Sequence, residues 1–141
     1  MTKLHRFVLV VAVAVAGTGC KRRPSGEDPV ALGAYLFREK CALCHPGGTE
    51  SASAPGLGGV VGRKAASLPG FMYSGALQNS KVTWDRATLD VFLRNPNAMV
   101  PGTRMPISVS SADERAALIA YLVSLSPPAV APAASASGAI P

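Results

Sequence analysis

Cys41-Ala42-Leu43-Cys44-His45 is the stretch around which the rest of the chain is arranged. Two thiols stand three residues apart and an imidazole follows at once. At this spacing both sulfurs reach one edge of a flat ring system from a single helical turn, and the imidazole comes up beneath its centre. This is the C-x-x-C-H attachment signature of c-type haem. The two vinyl groups of haem take the thiols as thioethers, and its iron takes the histidine as an axial ligand. The reading sets three demands on the other residues: a second axial ligand, an apolar pocket, and delivery to a compartment where haem c is assembled.

The flanking segments read as helix, loop and helix. Residues 30–42 form the first helix candidate, with Asp28 as N-cap and Pro29 in the first turn. Leu32, Leu36 and Lys40 share one face, and Gly33 and Phe37 the adjacent one. A glycine inside a helix is destabilising, so Gly33 implies a close approach by another helix. Residues 46–62, rich in Gly, Ser and Ala, read as loop without a regular element. One helical turn is expected at 74–78. A helix follows at 85–94, with Thr83 as its N-cap and Leu89, Phe92 and Leu93 as its apolar stripe. Asn95-Pro96 stops it. Residues 97–109 read as loop stiffened by Pro101 and Pro106. Ser111-Ala112-Asp113-Glu114 is a capping box, and it opens a last helix with Ala117, Leu118, Tyr121, Leu122 and Leu125 on one face. Pro127-Pro128 ends that helix, and residues 127–141 read as a disordered Ala/Pro tail.

The second axial ligand follows by elimination. The only other histidine is His5, near the N-terminus. The remaining candidates are Met72, Met99 and Met105. A lone methionine is most often core filling. Met105 differs because it sits in Pro101-Gly102-Thr103-Arg104-Met105-Pro106, a proline-fixed loop between two helices. A His/Met pair raises the reduction potential relative to two histidines, and with both axial positions filled the iron suits electron transfer rather than substrate binding.

The N-terminus reads as a targeting segment. Lys3, His5 and Arg6 form a positive region, an apolar run follows, and Gly17-Thr18-Gly19-Cys20 ends it. The apolar run, residues 7–19, is too short to cross a hydrocarbon core of ~30 Å at about 1.5 Å per residue. The segment resembles a bacterial lipoprotein signal, with Cys20 as the lipid-modified first residue of the mature chain. Gly17 departs from the larger aliphatic residue usual three places before that cysteine. The expected layout is a signal peptide over 1–20, a linker over 21–29, a folded domain over 30–126 and the tail. The expected location is the periplasmic or cell-surface side of a bacterial membrane, with a lipid anchor on Cys20.

The net charge of +6 does not indicate nucleic-acid binding. Five of the basic residues precede Pro24, and from Asp28 to Ser126 nine Lys/Arg face seven Asp/Glu, a balance of only +2. No clustered basic face remains on the domain.

From about residue 33 to residue 125 the chain resembles class I cytochromes c, specifically the mitochondrial-type and cytochrome c2 branch. The likeness runs in order through Gly33 and Phe37, the C-x-x-C-H stretch, Pro55-Gly56-Leu57, Val61-Gly62-Arg63-Lys64 and Pro69-Gly70-Phe71-Met72-Tyr73-Ser74. It continues through Val82-Thr83-Trp84, Leu93-Arg94-Asn95-Pro96, Val100-Pro101-Gly102-Thr103-Arg104-Met105, and Arg115 with Leu118-Ile119-Ala120-Tyr121-Leu122. The resemblance implies an all-α fold of three to five helices wrapped around one covalently bound haem c, in an electron-transfer protein rather than an enzyme. It implies redox donor and acceptor proteins of a respiratory chain as partners. It also implies Met105 as distal ligand, Cys41 and Cys44 as haem attachments and His45 as proximal ligand. The carbonyl of Pro55 would accept the ring N–H of His45. Arg63, Tyr73 and Trp84 would donate to a haem propionate, and Gly33 and Phe37 would meet Leu118 and Tyr121. Phe92 and Leu77 replace a tyrosine and an asparagine common in the family. Asn97 and Ala98 stand where docking lysines are frequent.

Rival readings meet specific objections. A haem peroxidase needs an open distal site. A zinc site at Cys41, Cys44 and His45 lacks a fourth ligand. A thioredoxin-like pair lacks its βαβ setting. An accessory cytochrome c subunit of a larger respiratory oxidoreductase or terminal oxidase shares every motif with a free carrier.

Overall fold

The computed structural model describes residues 28–126. The segments read as signal peptide (1–20), as linker up to residue 27 and as tail (127–141) lie outside the described residues. Five α-helices follow in chain order: α1 (Pro29–Lys40), α2 (Gly75–Asn79), α3 (Arg86–Arg94), α4 (Pro96–Met99) and α5 (Ala112–Ser124). Among the described residues there is no strand, and one antiparallel bridge joins Lys64 and Thr83.

Helix α1 starts as its sequence requires. The Asp28 carboxylate accepts the Val30 N–H at 2.8 Å, and Pro29 takes the first position, where no N–H is needed. Its end is earlier than the expected residue 42. The Phe37 carbonyl accepts both the Cys41 and Ala42 N–H groups, at 2.8 and 2.9 Å. The C-x-x-C-H stretch therefore leaves the helix as a turn, closed by the Cys44 and His45 N–H groups on the Cys41 carbonyl at 3.1 and 2.9 Å.

α1 and α5 cross closely, and Gly33 makes this possible. A Cβ at Gly33 would lie 2.0 Å from the Ala117 carbonyl oxygen and 2.8 Å from the Tyr121 Cβ. The approach seats Phe37 against Tyr121, ring centroids 5.2 Å apart, beside Leu118, which is 1% exposed. Lys40 pairs with Glu114 across the same crossing at 3.5 Å.

The cap of α3 differs from the expected Thr83. Asp85 caps it: its Oδ1 accepts the Thr88 N–H at 2.7 Å and Thr88 Oγ1 accepts the Asp85 N–H at 2.8 Å. Thr83 is unavailable because residues 82–84 are extended against 62–65. There the Ala65 N–H meets the Val82 carbonyl, and the Trp84 N–H meets the Arg63 carbonyl. This pairing delivers Trp84 into the core, where its ring lies 4.9 Å from that of Phe92.

The stretch expected to be loop over 97–109 begins with a short helix, α4. Asn95 caps it by accepting the Ala98 N–H at 3.0 Å, and Pro96 occupies its first turn. The 74–78 turn is present as α2, capped by Ser74. At the far end, Ser111 accepts the Glu114 N–H and opens α5.

Arg115, 6% exposed, joins α5 to α3. Its Nε donates to Asp90 Oδ1 at 2.7 Å, and Nη1 donates to the carbonyls of Val109 and Ser110 at 3.0 and 2.7 Å. A buried guanidinium needs such partners, since an unpaired one is strongly destabilising.

Two outcomes are expected. Gly33→Ala must push α1 off α5 against backbone atoms and should lower the melting temperature by roughly 10 °C. Gly75→Ala, with nothing within 4 Å of its new Cβ, should leave melting unchanged or slightly raised in the same thermal scan. The hydrogen bond from Arg115 holds the Asp90 carboxyl below the usual carboxylate range. With the folded value below the unfolded one of about 3.9, the unfolded chain binds the proton more readily, so this stabilisation is present at neutral pH and lost as the pH falls through that range. Asp90→Asn should lower the melting temperature at pH 7 and flatten its decline on acidification.

Candidate functional site

One cleft between α1, α3, α5 and the loops collects every site residue read from the sequence. Cys41, Cys44, His45 and Pro55 line it, and so do Arg63, Tyr73, Trp84 and Met105. Phe37, Leu89, Phe92, Leu93 and Leu118 supply its apolar walls. The atom-free space, including the open mouth, is about 1190 Å³. Its apolar lining and open mouth suit a large planar group.

The turn after α1 sorts its side chains by direction. Cys41, Cys44 and His45 are half-buried at the cleft, whereas Leu43 is 96% exposed. Both thiols are free. Burial pushes the Cys41 thiol up to about 11, with the Lys40 charge opposing, so it remains protonated at neutral pH. His45 Nδ1 lies 2.7 Å from the Pro55 carbonyl oxygen. A carbonyl only accepts, so Nδ1 carries the proton and Nε2 keeps a bare lone pair. Burial lowers the His45 pKa, and the bond to Pro55 opposes that shift only in part, which keeps the ring neutral. A neutral, oriented imidazole beside two free thiols in an apolar cleft is the donor set that a covalent haem requires. The residues present fit that group.

Met105 approaches from the loop between α4 and α5. Polar side chains knit this loop as much as its prolines do. Asn97 Oδ1 accepts the Gly102 N–H at 3.0 Å, Thr103 N–H donates to the Val100 carbonyl at 3.0 Å, and Thr103 Oγ1 lies 3.4 Å from the Met105 N–H. Gly102 has φ 89°, a left-handed conformation that favours glycine. The Val109 N–H then returns to the Leu93 carbonyl at 2.8 Å and ties the loop onto α3. Of the other methionines, Met72 is 80% exposed, and Met99 packs against the core outside the cleft lining.

The expected donors occupy the cleft differently from one another. Arg63 commits part of its fork to the protein: Nη1 donates to the Gly58 carbonyl at 2.9 Å and Nη2 to that of Gly56 at 2.7 Å. Burial lowers its pKa, while the neighbouring Tyr73 acts in the opposite sense. Tyr73 packs edge-on against Phe71, centroids 4.8 Å apart. Arg104 also lines the cleft and donates to the Met72 carbonyl, linking the Met105 loop to residues 71–74. Sequence reading missed Arg104 as a link because its partner lies 32 residues away. It also missed Ser51, although a serine four residues before Pro55 in a turn-rich loop is a recognisable local capping signal. The loop expected to lack any regular element contains a short tight helical turn, Pro46–Gly48, right after His45.

Comparison with known proteins agrees with this geometry. The family profile described as cytochrome c matches residues 30–126. The cytochrome c2 of Rhodomicrobium vannielii is 47% identical over 100 residues, covering 67% of this chain and 77% of that protein. Cytochrome c-554 of Methylosinus trichosporium is 39% identical over 125 residues, covering 86% and 92%. Among solved structures, cytochrome cH from Methylobacterium extorquens superposes with a TM-score of 0.62 at 36% identity, covering 67% of this chain and 97% of that one. The helical fold, the C-x-x-C-H cleft and these relatives together make the chain a member of the class I cytochrome c family, c2-like, an electron-transfer protein that carries one covalent haem c.

Proposed function

We propose that the chain is a single-electron carrier in which His45 and Met105 are the two axial ligands. The proposal extends to a domain, residues 30–126, held at the periplasmic or cell-surface side of a bacterial membrane through a lipid on Cys20. The observation that carries it is the meeting of His45, with its Nε2 free, and Met105 in one apolar cleft that also holds both thiols. The haem supplies the Fe(III)/Fe(II) couple.

The protein's residues do the rest. Pro55 fixes the tautomer and orientation of His45 and raises its basicity as a ligand. The Asn97, Thr103 and Gly102 contacts hold the Met105 loop, so a weak thioether is presented without fraying. Phe37, Leu89, Phe92 and Leu118 exclude water, which limits reorganisation as charge changes by one unit. Tyr73, Trp84 and the N–H groups of Arg63 not given to Gly56 and Gly58 are the donors for buried carboxylates. Donor and acceptor proteins of a respiratory chain would meet the open edge of the cleft.

Pyridine haemochrome spectra should report haem c in the wild type. The weak ferric band of sulfur–iron ligation should be present in the wild type and absent in Met105→Ala. Met105→His should keep the covalent haem and lower the reduction potential in a spectroelectrochemical titration. Retention of the band in Met105→Ala would remove Met105 as ligand. For the tether, labelled palmitate should enter the full-length chain in the membrane fraction and be lost in Cys20→Ser, which should appear in the soluble extract. Labelling that survives the substitution would overturn the lipid anchor.

A further inference from the structure

We infer that Ser51 is a positioning residue for the proximal histidine, acting through the loop that carries the Pro55 carbonyl. The inference rests on His45 being an iron ligand, as proposed above.

The Ser51 hydroxyl is the hub of residues 44–54. It donates to the Cys44 carbonyl at 2.6 Å and accepts the N–H groups of Ala54 and Ser53 at 3.1 and 3.2 Å. The Ser51 N–H closes the same ring onto the Ala54 carbonyl at 2.9 Å. One side chain thus pins the backbone just before His45 to the backbone just before Pro55, and it uses its single proton and both lone pairs to do so. Ala54, at the joint, is 5% exposed, while Ser53 and Ala52 beside it are exposed. The latch is therefore local, and the 2.7 Å contact between His45 Nδ1 and the Pro55 carbonyl depends on where it places residue 55.

The consequence is electronic as well as structural. A ring N–H bonded to a carbonyl makes the imidazole a stronger donor to a metal. A stronger donor favours the ferric state and lowers the reduction potential. Without the Ser51 hydroxyl, Pro55 drifts, the Nδ1–H bond lengthens, and the potential rises. Thr49 provides an internal control. Its hydroxyl donates to the Pro46 carbonyl at 2.6 Å in the same loop, with no link to Ala54 or Pro55.

The test compares wild type, Ser51→Ala, Ser51→Thr and Thr49→Val as holoproteins, by redox titration, proton NMR and thermal melting. Ser51→Ala should raise the potential and speed exchange of the His45 Nδ1 proton about tenfold, the scale expected for loss of one supported hydrogen bond. Ser51→Thr, which keeps the hydroxyl, should restore both. Thr49→Val should change melting alone. An unchanged potential and exchange rate in Ser51→Ala, or the same shift in Thr49→Val, would overturn the role of Ser51. Absence of hyperfine-shifted imidazole signals from the wild type would instead overturn histidine ligation itself.

Discussion

The close crossing of α1 and α5 at Gly33 is the constraint on which the rest depends. Two helices that touch backbone to backbone at one point have little freedom to slide. The crossing fixes Phe37 against Tyr121, and Phe37 and Leu118 line the floor of the cleft. It also fixes where α1 ends, and so where the Phe37 carbonyl gathers the Cys41 and Ala42 N–H groups and turns the chain. The direction in which Cys41, Cys44 and His45 face follows from that turn.

From this floor the walls rise by non-local pairing. The extended pairing of 62–65 with 82–84 sets Trp84 into the core. The Arg115–Asp90 contact locks α5 to α3, while the same guanidinium holds the Val109 and Ser110 carbonyls at the end of the Met105 loop. One buried cation thus supports two sides of the cleft. The cleft stays apolar because the polar work is done at its rim, in the loops that carry Pro55 and Met105.

Much of this was legible in advance, for a physical reason. Asp28 and Ser111 accept N–H groups within three residues, and Pro29 stands where no N–H is needed, so their roles can be read from neighbours alone. The C-x-x-C-H stretch is equally local. Failures came where a distant partner decided. Thr83 reads as a cap for α3, but its backbone is held extended by residue 64, and Asp85 takes the cap instead. Arg63, for which a propionate role is proposed, additionally gives two of its nitrogens to the nearby carbonyls of Gly56 and Gly58, a contact its spacing did not announce. The α4 segment reads as loop from sequence because a four-residue helix carries too little periodicity to register.

The sequence by itself determined the attachment chemistry, the starts of α1 and α5 and the set of residues that the cleft collects. These depend on spacing and on caps that act within one turn. Only the tertiary structure decided how the collected residues face one another. It bonds His45 Nδ1 to the Pro55 carbonyl, sets Met105 in a loop knitted by Asn97 and Thr103, and makes Ser51 the latch between the backbone before His45 and the backbone before Pro55. Those outcomes turn on distances between segments far apart in sequence, and such distances are set only when α1 and α5 close on Gly33.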